Sequence, residues 1–125
     1  MITAVTIAAC TILAALAVFQ IALIADAPIG RFAWGGQNNV LPRKLRIGSA
    51  VSIVLYVIFA LVILGRAGLV AVLPEVATSV GIWVLVAYFT LGIVLNGISR
   101  SKPERNLMTP VALVLAVLCL VVALS

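Results

Sequence analysis

The sequence contains no histidine, two cysteines and three acidic residues among its 125 positions. The absence of histidine argues against a zinc centre, haem ligation and a nucleophile activated by an imidazole. The two cysteines, Cys10 and Cys119, are too far apart in the sequence to form a metal-binding or redox motif. We therefore expect no metal site, no cofactor and no catalytic residue.

Charge is also scarce, because only 9% of the residues are charged whereas 66% are hydrophobic. A soluble domain has about 25% charged residues and needs polar side chains to cover its surface. The mean hydropathy of +1.39 is far too high for such a surface. The composition excludes a soluble enzyme, a secreted disulfide scaffold, a disordered chain and a coiled coil. It predicts an integral membrane protein with one domain.

Four apolar runs predict an all-α fold, a bundle of four transmembrane helices formed by residues 1–125. The predicted spans are 2–25, 47–64, 76–98 and 109–124. The first three have the length of about 17–25 residues that crosses a bilayer, and the fourth is short. Ser101 and Glu104 have the spacing of a capping box. We expect a short interfacial turn over 102–108, followed by a bend near Pro110.

The basic residues are distributed unevenly between the predicted loops. Seven of the eight lie in the first and third loops, namely Arg31, Arg43, Lys44, Arg46, Arg100, Lys102 and Arg105. Since cytoplasmic loops carry an excess of Lys and Arg, both termini are predicted outside the cytoplasmic membrane. The net charge of +5 is then explained by lipid headgroups, and no nucleic-acid partner is expected.

Polar residues inside the predicted spans gather in the cytoplasmic half of the bilayer. Ser52 and Tyr56 share one face of the second helix, Tyr88 and Asn96 share one face of the third, and Gln20 lies at a similar depth in the first. An unpaired polar group facing lipid is costly, so these side chains should face inward. Two interpretations remain open: hydrogen bonds that pack the helices together, or a polar pocket open to the cytoplasm.

The first loop adds two candidates. Trp34 has a flat apolar body that could cover the mouth of a pocket, and Gly35-Gly36 would let the backbone bend toward it. Arg46 could pair with Asp26 or with an anionic group of a ligand. The alternative is that the loop is an interfacial anchor and a topology signal. The candidate ligand-binding residues are Gln20, Trp34, Arg46, Ser52, Tyr56, Tyr88 and Asn96.

Two motifs resemble those of a known family. Trp34-Gly35-Gly36 is followed by Leu41-Pro42-x-x-Leu45-Arg46, and a second motif contains Asn96, Ser99 and Glu104. Together they resemble a family of small, uncharacterised four-helix bacterial integral membrane proteins, over almost the whole chain. The resemblance implies the fold and the membrane location but no activity. It marks the positions Trp34, Gly35, Gly36, Leu41, Pro42, Arg46, Asn96, Ser99 and Glu104.

Three functions are compatible with these features. The first is a module that binds or transports a small amphipathic molecule or a lipid. The second is an accessory subunit that docks on another membrane protein or on a second copy of the chain. The third, a lipid-modifying enzyme at the interface, has the least support because no acid–base pair is visible. Cys10 and Cys119 are predicted at similar depth, where packing is favoured over a disulfide.

Overall fold

The computed structural model describes residues 1–125 as four long helices without any strand. The helices are α1 (Ile2–Ile24), α2 (Arg43–Arg66), α3 (Glu75–Gly97) and α4 (Lys102–Leu124). Each has 23 or 24 residues and is apolar enough to cross a membrane. A helix of that length spans about 35 Å, which exceeds the hydrocarbon thickness of about 30 Å. The chain is a four-helix, multi-pass membrane protein, as the apolar runs predict.

Consecutive helices run antiparallel, and each packs against the next to form a ring that α1 and α4 close. We call the end with the loops 25–42 and 98–101 the basic end, because seven of the eight Lys and Arg residues lie there. The other end, with the loop 67–74, is the distal end. The one basic residue of the distal end, Arg66, donates from Nη2 to the carbonyl oxygens of Ala123 and Ser125, both at 3.1 Å. It thereby satisfies carbonyl groups that the end of α4 leaves without helical partners.

The fourth helix differs from the prediction. It begins at Lys102 and continues without interruption, so the interfacial turn expected over 102–108 is wrong. The helix starts early because the Ser101 hydroxyl accepts a hydrogen bond from the Glu104 backbone N–H at 3.4 Å. Pro110 lies inside α4, where it removes one helical hydrogen bond but does not end the helix. The additional turns give α4 the length to cross a bilayer.

The capping box at the start of α4 is completed by a third residue. The Ser101 backbone N–H donates to the Ser99 hydroxyl at 3.2 Å, and that hydroxyl donates to Oε2 of Glu104 at 3.1 Å. In the usual arrangement the glutamate accepts directly from the backbone N–H of the capping residue. Here Ser99 is inserted between them, which places the Glu104 carboxylate farther from the backbone of Ser101.

The close-packed core lies in the distal half of the bundle. It consists of Ala9, Leu13, Val62, Ile63, Ile82, Leu85, Phe89, Leu115, Ala116, Cys119, Val122 and Ala123. Small residues permit close approach of the helices: a Cβ at Gly81 would lie 3.0 Å from a methyl carbon of Val62. Cys119 is buried in this core and Cys10 is half-buried, and both are free thiols.

Candidate functional site

A cavity of about 410 Å³ opens between the helices in the basic half. All four helices and the first loop contribute to its lining, and 14 of its 19 lining residues are hydrophobic. It contains six of the seven residues singled out in the sequence, namely Gln20, Trp34, Ser52, Tyr56, Tyr88 and Asn96. The seventh, Arg46, does not line it. The structure therefore brings the polar residues predicted on three helices, and one loop residue, to a single site.

Gln20 is the most buried polar residue in this lining. Its side chain is only 8% exposed, and Nε2 donates to the Tyr56 hydroxyl at 3.5 Å. Oε1 is buried and has no hydrogen-bond partner. Whichever way the amide is turned, one of its two polar atoms remains unpaired. A buried polar atom without a partner costs about 1–3 kcal/mol, so the amide of Gln20 is incompletely satisfied.

Aromatic side chains form much of the cavity wall. Six of the eight aromatic residues of the chain line it: Phe19, Phe32, Trp34, Tyr56, Tyr88 and Phe89. Tyr88 and Phe89 pack edge to face, with their ring centroids 5.2 Å apart. Tyr88 is nevertheless 48% exposed, so it lies at the open side of the cavity. The wall of the cavity is therefore largely aromatic.

Ser52 and Asn96 contribute oxygen atoms to the cavity. The Ser52 hydroxyl donates to the Gly48 carbonyl at 3.0 Å, and Asn96 Nδ2 donates to the Gly92 carbonyl at 2.8 Å. These bonds stay within each residue's own helix and use the donor side of each group. The oxygen atoms retain acceptor capacity. Neither side chain bonds a neighbouring helix, so these two residues do not act as polar links between helices.

The first loop packs at the basic end of the bundle, and Phe32, Ala33 and Trp34 from this loop line the cavity. The ring of Trp34 lies against α2 at Gly48, where a Cβ would be only 2.8 Å from Cη2 of the ring. Its Nε1–H donates to the Ser49 hydroxyl at 3.4 Å. The backbone of Trp34 is left-handed, with φ of 52°, a conformation that costs a non-glycine residue about 1–3 kcal/mol. Surrounding contacts therefore hold Trp34 in the lining of the cavity against a local conformational preference.

Further contacts attach the loop to the start of α4. The Ser101 hydroxyl donates to the Arg31 carbonyl at 2.5 Å. Gly36, with φ of 72°, lies so close to the Ser101 side chain that any larger residue would collide with it. The first loop and the start of α4 are thus one structural unit at the basic end.

Arg46 holds the two ends of the loop together. Its guanidinium group forms an ion pair with Asp26, where the loop begins, and Nε donates to the Leu41 carbonyl at 2.8 Å, where the loop ends. Leu41 itself is buried. Of the two partners expected for Arg46, Asp26 is the one observed. The prediction that Arg46 belongs to the binding site is not supported by its position, since its polar atoms face the loop.

The sequence analysis missed Glu104 as a cavity residue, because the capping-box spacing already explained it. The Glu104 side chain lines the cavity, and Ser99 is its hydrogen-bond donor. It forms no ion pair, because the only ion pair in the molecule is the one between Arg46 and Asp26. Phe19, Phe32, Phe89 and Met108 were also missed. The residue pattern carries no signal that separates these apolar residues from those that face lipid.

An apolar groove between α1 and α4 adjoins the cavity. Its volume is about 310 Å³, and all seven of its lining residues are hydrophobic. It shares Leu16, Phe19, Met108 and Val111 with the cavity. The two spaces therefore lie side by side, one with polar groups and one without. No group of three or more His, Cys, Asp or Glu side chains is placed to hold a metal ion.

Comparison with protein-family models, with curated proteins and with solved structures finds no match to the chain. The resemblance of the two loop motifs to a family therefore stays a hypothesis. The cavity is the feature of the molecule that bears on its function.

Proposed function

We propose that the protein binds a small amphipathic molecule or a lipid in the cavity of the basic half. The observation that carries this proposal is the cavity of about 410 Å³, whose mainly apolar lining brings together the polar side chains of Gln20, Tyr56 and Asn96. Ligand sites are mainly apolar clefts of about 300–1,000 Å³ that contain a few polar groups.

The adjoining groove supports an amphipathic ligand in particular. A polar head would find Gln20, Tyr56 and Asn96 in the cavity, while an apolar tail could follow the hydrophobic groove between α1 and α4. The residues shared by the two spaces give such a ligand a continuous apolar path. A binding protein and a transporter must both bind their ligand, and binding in this cavity is the function proposed.

The distribution of basic residues between the loops supports one orientation of the protein in the membrane. The seven-to-one distribution of Lys and Arg favours a cytoplasmic location of the basic end, with both termini outside the cytoplasmic membrane. The cavity would then open in the cytoplasmic half of the bilayer. Reporter fusions at residue 125 test this orientation. We expect a C-terminal alkaline phosphatase to be active, and activity of a cytoplasmic reporter alone would contradict it.

Native mass spectrometry of the protein purified in a mild detergent tests the binding proposal. We expect the wild-type protein to retain a bound molecule, and Gln20→Leu to lose it because leucine cannot hydrogen-bond. Thr6→Val is the matched control, since Thr6 Oγ1 is also buried and unpaired but lies near the distal end of α1, outside the cavity.

The control should retain the same molecule as the wild-type protein. Loss of the molecule from both variants, or its retention by Gln20→Leu, would contradict the proposal. A wild-type protein without any small molecule but with a second membrane protein bound in fixed ratio would favour the accessory-subunit function instead.

A further inference from the structure

The charges around the cavity are distributed asymmetrically. Glu104 is the only charged side chain in the lining, and no Lys or Arg lines it. The nearby basic groups are engaged elsewhere: Arg46 pairs with Asp26, and Arg105 Nη1 donates to the Ser99 carbonyl at 3.5 Å. Arg31, which also lies at the basic end, stacks on the ring of Phe32 and does not itself line the cavity. Among the residues of the lining, a ligand therefore meets one carboxylate and no Lys or Arg side chain.

The aromatic wall favours the same sign of charge in the ligand. The face of an aromatic ring attracts a cation within about 6 Å of its centre. The Arg31 guanidinium already lies 5.0 Å from the ring centroid of Phe32, so the other aromatic rings of the wall are the candidates for contact with a ligand cation.

We propose that the ligand is an amphipathic organic cation whose charge is neutralised by Glu104 and the surrounding aromatic rings. This inference deepens the proposed function and rests on it. An anionic amphiphile, such as a lipid with a free phosphate, would meet the Glu104 carboxylate without a basic side chain in the lining to offset the repulsion.

Two probe ions of the same shape and opposite charge test the proposal. Tetraphenylphosphonium is the cation and tetraphenylborate is the anion. Binding of each is measured by equilibrium dialysis to the protein in phosphatidylcholine nanodiscs, with empty nanodiscs subtracted. We expect saturable binding of the cation and an affinity for the anion at least about tenfold weaker, which corresponds to about 1.4 kcal/mol.

The variant that tests the counter-charge is Glu104→Gln. Glutamine keeps an oxygen that accepts from Ser99, so the start of α4 is preserved while the charge is lost. We expect its affinity for tetraphenylphosphonium to fall about tenfold and its discrimination between the two ions to disappear. Glu75→Gln is the matched control, because Glu75 also lies in the first turn of its helix, α3, but at the distal end. Its affinities should equal those of the wild-type protein.

The outcomes separate this inference from the proposed function. Equal binding of the two ions, stronger binding of the anion, or an unchanged affinity in Glu104→Gln would overturn the cationic ligand and leave a binding cavity in place. Failure of both ions to bind would also overturn it, and the mass measurement on Gln20→Leu would then decide the proposed function separately. An equal loss of affinity in Glu75→Gln would show that the effect is not local to the cavity.

Discussion

The distal and basic halves of the bundle are built from the same four helices but are packed in different ways. In the distal half Ile63, Ile82 and Cys119 have no exposed surface. In the basic half α3 has no buried side chain beyond Phe89, and the only buried residue of α2 is Ser49. An apolar sequence is thus equally able to form a closed core or the wall of a cavity.

The residues at the helix contacts differ in part between the two halves. Ala9, Gly81 and Ala116 let the backbones approach closely in the distal half. In the basic half a small-residue contact also occurs, since a Cβ at Gly92 would lie 3.6 Å from Cβ of Ala112. A high proportion of aromatic rings, rather than a lack of small residues, therefore distinguishes the wall of the cavity.

The largest expected effect compares two truncations on α3. Ile82→Ala should lower the free energy of unfolding by about 2–5 kcal/mol, because Ile82 is fully buried in the distal core. Leu95→Ala should have little effect, since Leu95 is 56% exposed at the open half. Denaturation in mixed micelles, followed by circular dichroism, measures both. Equal losses would mean that the two halves are packed alike.

A smaller effect is expected where the loop meets α2. Gly48→Ala should displace the Trp34 ring, since the new Cβ would lie 2.8 Å from it. Overpacking of this kind costs about 1–3 kcal/mol, partly offset by the higher helix propensity of alanine. In a Trp83→Phe background the fluorescence reports Trp34 alone, and we expect its emission to change.

Gly97→Ala serves as the control for this change. Its Cβ would lie 4.0 Å from the Thr109 side chain, an ordinary contact. Its emission should match that of the Trp83→Phe parent. An unchanged emission in Gly48→Ala would show that the Trp34 ring does not lie against Gly48.

Two of the unpaired polar groups provide a third comparison. Thr6→Val removes a buried hydroxyl that lacks a partner, and Gln20→Leu removes an amide with one unpaired atom and a long hydrogen bond of 3.5 Å to Tyr56. Thr6→Val should therefore leave the free energy of unfolding unchanged or raise it by about 1 kcal/mol, and Gln20→Leu should change it by no more than about 1 kcal/mol. Only Gln20→Leu should also affect ligand retention. If Gln20→Leu strongly destabilises the protein, the amide serves as a structural link between helices. The interpretation that the polar residues form hydrogen bonds that pack the helices together is then correct.

The smallest effect is expected at the ion pair that holds the loop. Arg46 and Asp26 are both partly exposed, at 33% and 62% of their side-chain surfaces, so solvent screens their attraction. A double-mutant cycle with Arg46→Gln and Asp26→Asn should give a coupling energy of about 0.2–1 kcal/mol that decreases with salt. A coupling well above that range would mean that the loop is anchored mainly by charge.

The fold could be predicted from the sequence because a bilayer permits few alternatives. Each apolar run of sufficient length must form a helix when its backbone has no water to bond. The start of α4 was missed because hydropathy does not register a polar first turn such as the one at Lys102–Glu104. Local capping by Ser101, rather than apolarity, decides where that helix begins.

The polar part of the cavity was predictable for a related reason. Helical spacing and depth together placed Gln20, Tyr56 and Asn96 in the same half of the bundle, and all three line the cavity. Apolar wall residues were not predictable, because in a membrane Phe89 is as suitable for the lipid face as for the interior. The partner of Arg46 depends on the path of the first loop. The left-handed residues of that loop determine the path, and the residue pattern does not predict it.

The rate of thiol alkylation at two positions tests the central claim most directly. In a Cys10→Ser background, Ser52→Cys places a thiol in the cavity wall, while Cys119 remains in the distal core. We expect N-ethylmaleimide to modify the thiol at position 52 much faster than Cys119, and tetraphenylphosphonium to slow only the faster reaction. Similar rates at the two positions would contradict the account, since the basic half would then be as closed as the distal half.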